Sequence, residues 1–270
     1  MKYEEKKIAI LNVGINSDHK IILPKGRKFP EIKEDLSFTF IPLPYQCDRK
    51  DCPNYKNLKS DIDHFVETTC YNPNKSNYRT YEDLKLRNFV RNENTFVHND
   101  PEFITYTYGG DFYLSRSSGL RKIQKNDFLA FFASFQRYDI EQGGNFYFIG
   151  LFQIQKIFLL DDYEYPYNIP EIEKNEHIRN KRENSGVAIW KGSHNSILFN
   201  KAVRFDRKLA KKIIALIEFD TEDKSRKIRT DFEIINSKTR TSRLISEKGK
   251  KYFWKEVFKH NPSIKHHFGD

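Results

Sequence analysis

Residues 126–135, NDFLAFFASF, and residues 146–160, FYFIGLFQIQKIFLL, carry the clearest structural signal in the chain. Both runs are strongly apolar, rich in phenylalanine and flanked by Asn, Asp and Gly. Short apolar runs bounded by turn residues read as buried strands, and aromatic side chains suit a pleated surface. Between them lies QRYDIEQGGN, residues 136–145, a polar loop with a glycine pair. The two runs are therefore expected to be adjacent buried strands of one sheet.

The flanking sequence extends this picture in both directions. Just upstream, SGLRKIQKND (118–127) reads as a short helix and turn that delivers the chain into the first strand. Further back, KIAILNVGINSD opens as a buried strand over Ile8 to Val13, broken by Gly14 and a polar turn through Asp18. SFTFIPLP (37–44) alternates apolar with polar residues, and Pro42 and Pro44 close it or put it at an edge. Residues 45–80 are loop-rich with a short helix near Asp61 to Thr68, and YEDLKLRNF (81–89) reads as a helix. Downstream, NIPEIEKNEHIRNKRE (168–183) is expected to be a polar helix with Pro170 in its first turn. GVAIWKGS makes another strand and turn, and RKLAKKIIALIEF and KGKKYFWKEVFKH are basic amphipathic helices. The mixed order predicts an α+β protein: one compact domain around a curved mixed or antiparallel sheet, with peripheral helices. Residues 1–205 would form its body and 206–270 a basic helical extension packed on it.

Composition narrows the classes. The chain has 270 residues, 38% hydrophobic and 15% aromatic, which is globular rather than disordered. No apolar run approaches the roughly 18–20 residues needed to cross a bilayer. MKYEEKKIAILNVG enters an apolar strand with no signal-peptide core, so a cytoplasmic protein without a membrane partner is expected. The formal net charge is +10, unevenly spread: residues 201–270 hold 19 Lys/Arg against 10 Asp/Glu, whereas the first 200 hold 28 against 27. A near-neutral body with a basic C-terminal third is the pattern expected of a footprint for phosphate backbones. Lysine spread over solvated faces is the plain alternative.

Three cysteines are too few for a disulfide scaffold. Cys47, Cys52, His64 and Cys70 supply zinc-ligand types, but their spacing lacks a second tight pair, so zinc is not expected.

Three polar constellations stand out. In VHNDPEFITYTYGGD (97–111), His98, Asp100 and Glu102 would share one face if the segment is a strand. Asp100, Glu102 and Asp111 could then bind a divalent metal, with His98 as acid or base. The same residues also describe the wet face of a half-buried strand, and Pro101 argues for an edge or loop. In NEHIRN, Asn175, His177 and Arg179 fall close together; His177 could shuttle a proton and Arg179 could take a phosphate or carboxylate. In WKGSHNSILF, Lys191 and Ser193 offer a cation and a donor to phosphate oxygens; capping by Ser193 or Asn195 is the preferred reading of the helix start, with Lys191 kept as a ligand candidate. Tyr106, Tyr108 and Trp190 are the aromatics placed to stack a base. No nucleophile elbow and no dinucleotide fingerprint occurs.

Taken together, NVGINSD, FTFIPLP, HNDPEFITYTYGG, LRKIQKNDFLAFFASF, FYFIGLFQIQKI, NEHIRN and KGSHNSILFNKAV resemble the nucleotide modification associated domain family, third type. The resemblance runs over residues 8 to 205 and more loosely beyond; Asn126–Asp127 stands where the family more often has Gly-Asp. It implies a protein that recognises or processes modified nucleotides in a phage or prokaryotic DNA-modification or defence setting. Its partner would be nucleic acid, DNA before RNA, or a nucleotide. The site would then comprise Asp18, His98, Asp100, Glu102, Asp111, Asn175, His177, Arg179 and Lys191, with the strand pair at 127–160 as the core of a small barrel. A divalent-metal nuclease or nucleotide hydrolase, and a structural subunit of a defence complex, are the alternatives.

Overall fold

The computed structural model describes residues 3–13, 31–38, 40, 43–45, 96–98, 100–103, 105–137, 145–163, 168–173, 175–179, 186–214, 235, 239 and 241–265. Its strands are β1 (Ile8–Asn12), β2 (Glu31–Ile32), β3 (Leu43–Tyr45), β4 (Phe96–His98), β5 (Thr107–Asp111), β6 (Phe128–Arg137), β7 (Asn145–Leu159), β8 (Val187–Gly192), β9 (Ile197–Arg204) and β10 (Arg243–Leu244). The helices are α1 (Glu176–Arg179), α2 (Arg207–Ile213) and α3 (Glu247–His260), with short 3-10 turns between.

The two aromatic runs are β6 and β7, and they pair antiparallel as expected, Phe128 opposite Gln153 and Phe135 opposite Asn145. β1 lies parallel to β6 on its other edge. Beyond β7, β9 pairs with its first half and β8 with its second, and β5 closes the row antiparallel to β8. The path β10-β1-β6-β7-β8-β5 is therefore an open mixed sheet. The expected barrel does not form: bulges at Phe148/Gly150 and Ile154/Lys156 bend β7 without bringing β5 round to β10.

Register explains the core. Phe128, Phe131, Phe132, Phe135, Phe146 and Phe148 are all fully buried. One face of β6 meets the C-terminal helix, with Phe128 edge-on to Trp254 at 5.2 Å and Phe132 at 5.1 Å from Phe205. The other face carries Phe131 and Phe152, 4.6 Å apart, with Phe103 edge-on to both. Phe103 fits because residue 150 is glycine: a Cβ there would stand 2.7 Å from the Phe103 ring and 2.8 Å from the Ile197 carbonyl. A second, smaller cluster of Phe158, Leu160, Ile172, Ile178, Val187 and Ile189 lies apart from this core.

α2 and α3 start where N-cap chemistry predicts. Asp206 accepts from the Leu209 N–H at 2.8 Å, and Ser246 accepts from the Gly249 N–H at 3.1 Å. α3 is not a loose appendage, because Phe253, Trp254 and Val257 are buried in the same core as β1 and β6.

Several local expectations change. Of SFTFIPLP, Phe38 makes only an isolated bridge to Ile32, while Leu43 and Pro44 join β3, which pairs with β4 in a two-stranded ribbon. Instead of one long polar helix, a turn at 170–173 precedes the single-turn α1. KGSHNS is not a helix start but the turn joining β8 to β9. There the Ser193 N–H donates to the Gln153 carbonyl at 2.7 Å and Ser196 N–H to the Ser193 carbonyl at 3.0 Å. The expected helices near 61–68 and 81–89, Asp18, and the set Cys47, Cys52, His64 and Cys70 lie outside the described residues. Among the described residues no helix is long and apolar enough to cross a membrane.

Removing Phe131, which is 0% exposed, tests the aromatic seam. Phe131→Ala should cost about 3–5 kcal/mol, seen as a lower urea midpoint with an unchanged denaturant slope.

Candidate functional site

The polar stretch 97–111 does not run as one strand. Glu102 and Thr107 exchange both backbone hydrogen bonds, at 2.8 and 3.0 Å, closing a tight turn in which Tyr106 takes a left-handed φ of 54°. The Glu102 carboxylate serves that turn: its Oε2 accepts from the Thr105 N–H at 2.7 Å and from the Thr105 hydroxyl. The turn is anchored by Phe103, the ring seated over Gly150.

Beyond the turn, side chains alternate along β5. Thr107, Gly109 and Asp111 share one face, and their partners Lys191, Ile189 and Val187 on β8 share it with them. Ile189 and Val187 belong to the small second cluster, which also buries Ile172 and Ile178. Apolar packing of residues 168–178 against the sheet thus brings Asn175 and His177 over β5.

The centre of the arrangement is Asp100. Its Oδ1 accepts from the Gly109 N–H at 2.9 Å and from Asn175 Nδ2 at 3.2 Å. Asn175, 0% exposed, also donates to Thr107 Oγ1 at 3.1 Å and accepts from the His177 N–H at 3.0 Å. Such satisfaction is what a buried carboxylate and amide require. On the other side of the carboxyl, Asp100 Oδ2 stands 3.7 Å from His177 Nε2, with the aspartate side chain 3% and the imidazole 24% exposed. Gly109 makes this approach feasible, since a Cβ there would fall 2.2 Å from His177 Cδ2 and 2.8 Å from Asn175 Oδ1.

Next to this trio lies a second polar group. Thr105 and Thr107 hydroxyls are 3.4 Å apart, and the Lys191 ammonium donates to the Thr105 carbonyl. Burial holds Lys191 below its ordinary pKa, opposed by the charges of Glu102 and Glu171. The Tyr106 phenol is raised by burial and by Glu102. Tyr108 is raised further, first by burial and then by Asp100 and Asp111 against the pull of Arg116.

The structure thus brings together Asp100, Asn175 and His177, with Glu102, Lys191 and Tyr106 alongside. It does not gather the expected metal set. Asp100 is turned to Gly109 and Asn175, Glu102 to its own turn, and Asp111 to Arg116. Among the described residues no group of three His, Cys, Asp or Glu side chains could hold a metal ion. Tyr108 and Trp190 point to the opposite face, and Trp190, 0% exposed, stacks on Phe112 at 6.2 Å. Ser193 is engaged in the turn that carries the chain from β8 to β9 along the edge of β7, its Oγ 3.2 Å from Gln153 Oε1. His98 stands in β4 opposite Leu43 and Arg179 ends α1; their side chains lie outside the described residues. Thr105, Thr107 and Gly109 were missed as members of the site. The pair of glycines after a Thr-Tyr alternation was their one signal, a place where another chain segment comes close.

A family model described as nucleotide modification associated domain 3 matches residues 7–264, and so extends across α2 and α3. No curated protein and no solved structure gives a match.

The Asn175 amide holds three partners at once. Asn175→Ala should leave Asp100 and Thr107 short of a buried donor and lower stability by about 1–3 kcal/mol in thermal or urea unfolding.

Proposed function

The chain belongs to the nucleotide modification associated domain 3 family, and from that premise we propose that the Asp100–Asn175–His177 cluster, with Lys191, recognises or processes a modified nucleotide. The setting would be phage or prokaryotic DNA modification or defence. One observation carries the reading: a buried, doubly hydrogen-bonded carboxylate aimed at a part-exposed imidazole, beside a half-buried lysine.

Each group has a role its chemistry suits. His177, whose ring is 24% exposed beside Asp100, exchanges a proton or a hydrogen bond with the edge of the base. Asp100 is a positioning residue: fixed by Gly109 and Asn175, it offers a charge partner whenever the ring is protonated. Lys191 meets a phosphate oxygen. Tyr106, part-exposed and 5.7 Å from Phe152, supplies a rigid ring for a base to stack on. Asp18, His98 and Arg179 remain proposed ligand contacts on their sequence pattern alone.

The test is calorimetric titration with deoxynucleoside monophosphates bearing plain and 5-substituted pyrimidines. His177→Gln should weaken binding of the preferred nucleotide by about 10- to 100-fold, the worth of one hydrogen bond to a charged group. Undiminished binding by that variant, or no binding of any nucleotide by the unaltered protein, refutes the reading.

Lys191 gives a second check. Its ammonium form is the one that holds phosphate, and burial lowers its pKa from 10.5. Affinity should therefore fall as pH rises through that lowered value, at a lower pH than an ordinary lysine would give. Lys191→Met should bind weakly with no such decline.

A further inference from the structure

The exposed face of α3 carries a row of cations. Lys248, Lys251, Lys255 and Lys259 are all exposed and follow one another at steps of three, four and four residues. At 100° per residue they fall on one narrow stripe, opposite the buried Phe253, Trp254 and Val257. The row is about 16 Å long at 1.5 Å per residue. The acidic residues of α3 do not interrupt it: the Glu247 carboxylate is held by Lys250 at 2.8 Å, and Glu256 is partly buried.

α2 continues the face. Lys208, Lys211 and Lys212 are exposed, and Lys212 from α2 and Lys251 from α3 stand 5.0 and 5.1 Å from the centre of the same Tyr252 ring. The shared ring fastens the two helices' cations into one surface. Like charges at helical neighbours repel one another, and a polyanion laid along the stripe relieves that repulsion.

We infer that the lysine face of α2 and α3 binds the phosphate backbone of a polynucleotide, so that the nucleotide met by the protein is part of a nucleic acid rather than free. The row passes about ten phosphate charges of a duplex, at one per ~1.7 Å of axis. The contacts carry no base information; they add affinity and orientation. The inference rests on the nucleotide reading of the site for its ligand class, and the assay separates the two.

The experiment measures fluorescence anisotropy of labelled 20-base-pair DNA, single-stranded DNA and RNA duplex from 50 to 200 mM NaCl, with anionic lipid vesicles as a further arm. The full chain is compared with Lys248→Gln/Lys251→Gln/Lys255→Gln/Lys259→Gln. A control of equal charge change, Lys33→Gln/Lys122→Gln/Lys125→Gln/Lys156→Gln, removes lysines exposed elsewhere. Unaltered protein should lose at least about 100-fold in duplex affinity across that salt range, from a slope of about 0.9 per neutralised phosphate over four contacts. The row variant should flatten the slope by about 3–4 while the control keeps it. Both variants should keep the single cooperative unfolding transition of the unaltered protein. A nucleic acid of any of the three kinds behaving this way supports the inference and names the polymer. Overturning it would take no binding at 50 mM NaCl, equal losses in row variant and control, or binding to vesicles alone. Titration of the row variant with the mononucleotide separates the two readings: unchanged affinity there, whatever the polymer result, leaves the pocket reading standing.

Discussion

Everything at the site depends on one ring finding room. Phe103 lies on the sheet because residue 150 has no side chain, and it touches Phe40, Phe131 and Phe152. That seat ties the turn 102–107 to the central strands, so Asp100 on one side of Phe103 and Thr107 on the other have fixed positions. Large aromatic side chains in edge-on contact are well suited to the task, since they bury much area at little conformational cost. Polar groups that must be held against their preference for water are thus attached to the most apolar part of the molecule.

The sheet then does two jobs. On one face of β5 and β8, Tyr108 and Trp190 complete the aromatic core. On the other, Thr107, Gly109 and Lys191 meet the chain that carries Asn175 and His177. Alternation along two short strands thus separates packing from polar chemistry without a further domain. At the far side, α3 packs its aromatic face on β6 and turns Lys248, Lys251, Lys255 and Lys259 outward.

Much of this could be read from the residues. Apolar runs at 126–160 and the amphipathic period of 248–260 are direct consequences of burial, and both elements stand as expected. His177, Asp100 and Lys191 were recognisable by chemistry, though their meeting was not, because it depends on the register of β5 with β8. The error over Glu102 has a local cause. Period two holds only along a strand, and the turn at Tyr106 turns that carboxylate back to Thr105. Trp190 was an aromatic candidate for stacking, but it alternates with Lys191 along β8 and so faces the core. KGSHNS offered a glycine and small hydroxyl residues, a set that caps helices and also makes turns between strands; the strand following it decided the outcome. The open shape of the sheet depends on where bulges bend β7, which no composition encodes.

Finally, Asn175 and His177 ride on a segment whose apolar support is the small cluster of Ile172, Ile178 and four partners rather than the main core. Proteins open piecewise, and a unit resting on few buried contacts opens at far lower free energy than the whole. The apolar support of residues 168–173 and 175–179 is therefore separate from the phenylalanine core. Local opening there is expected to cost little more than that cluster and the Asn175 hydrogen bonds, below the free energy of global unfolding.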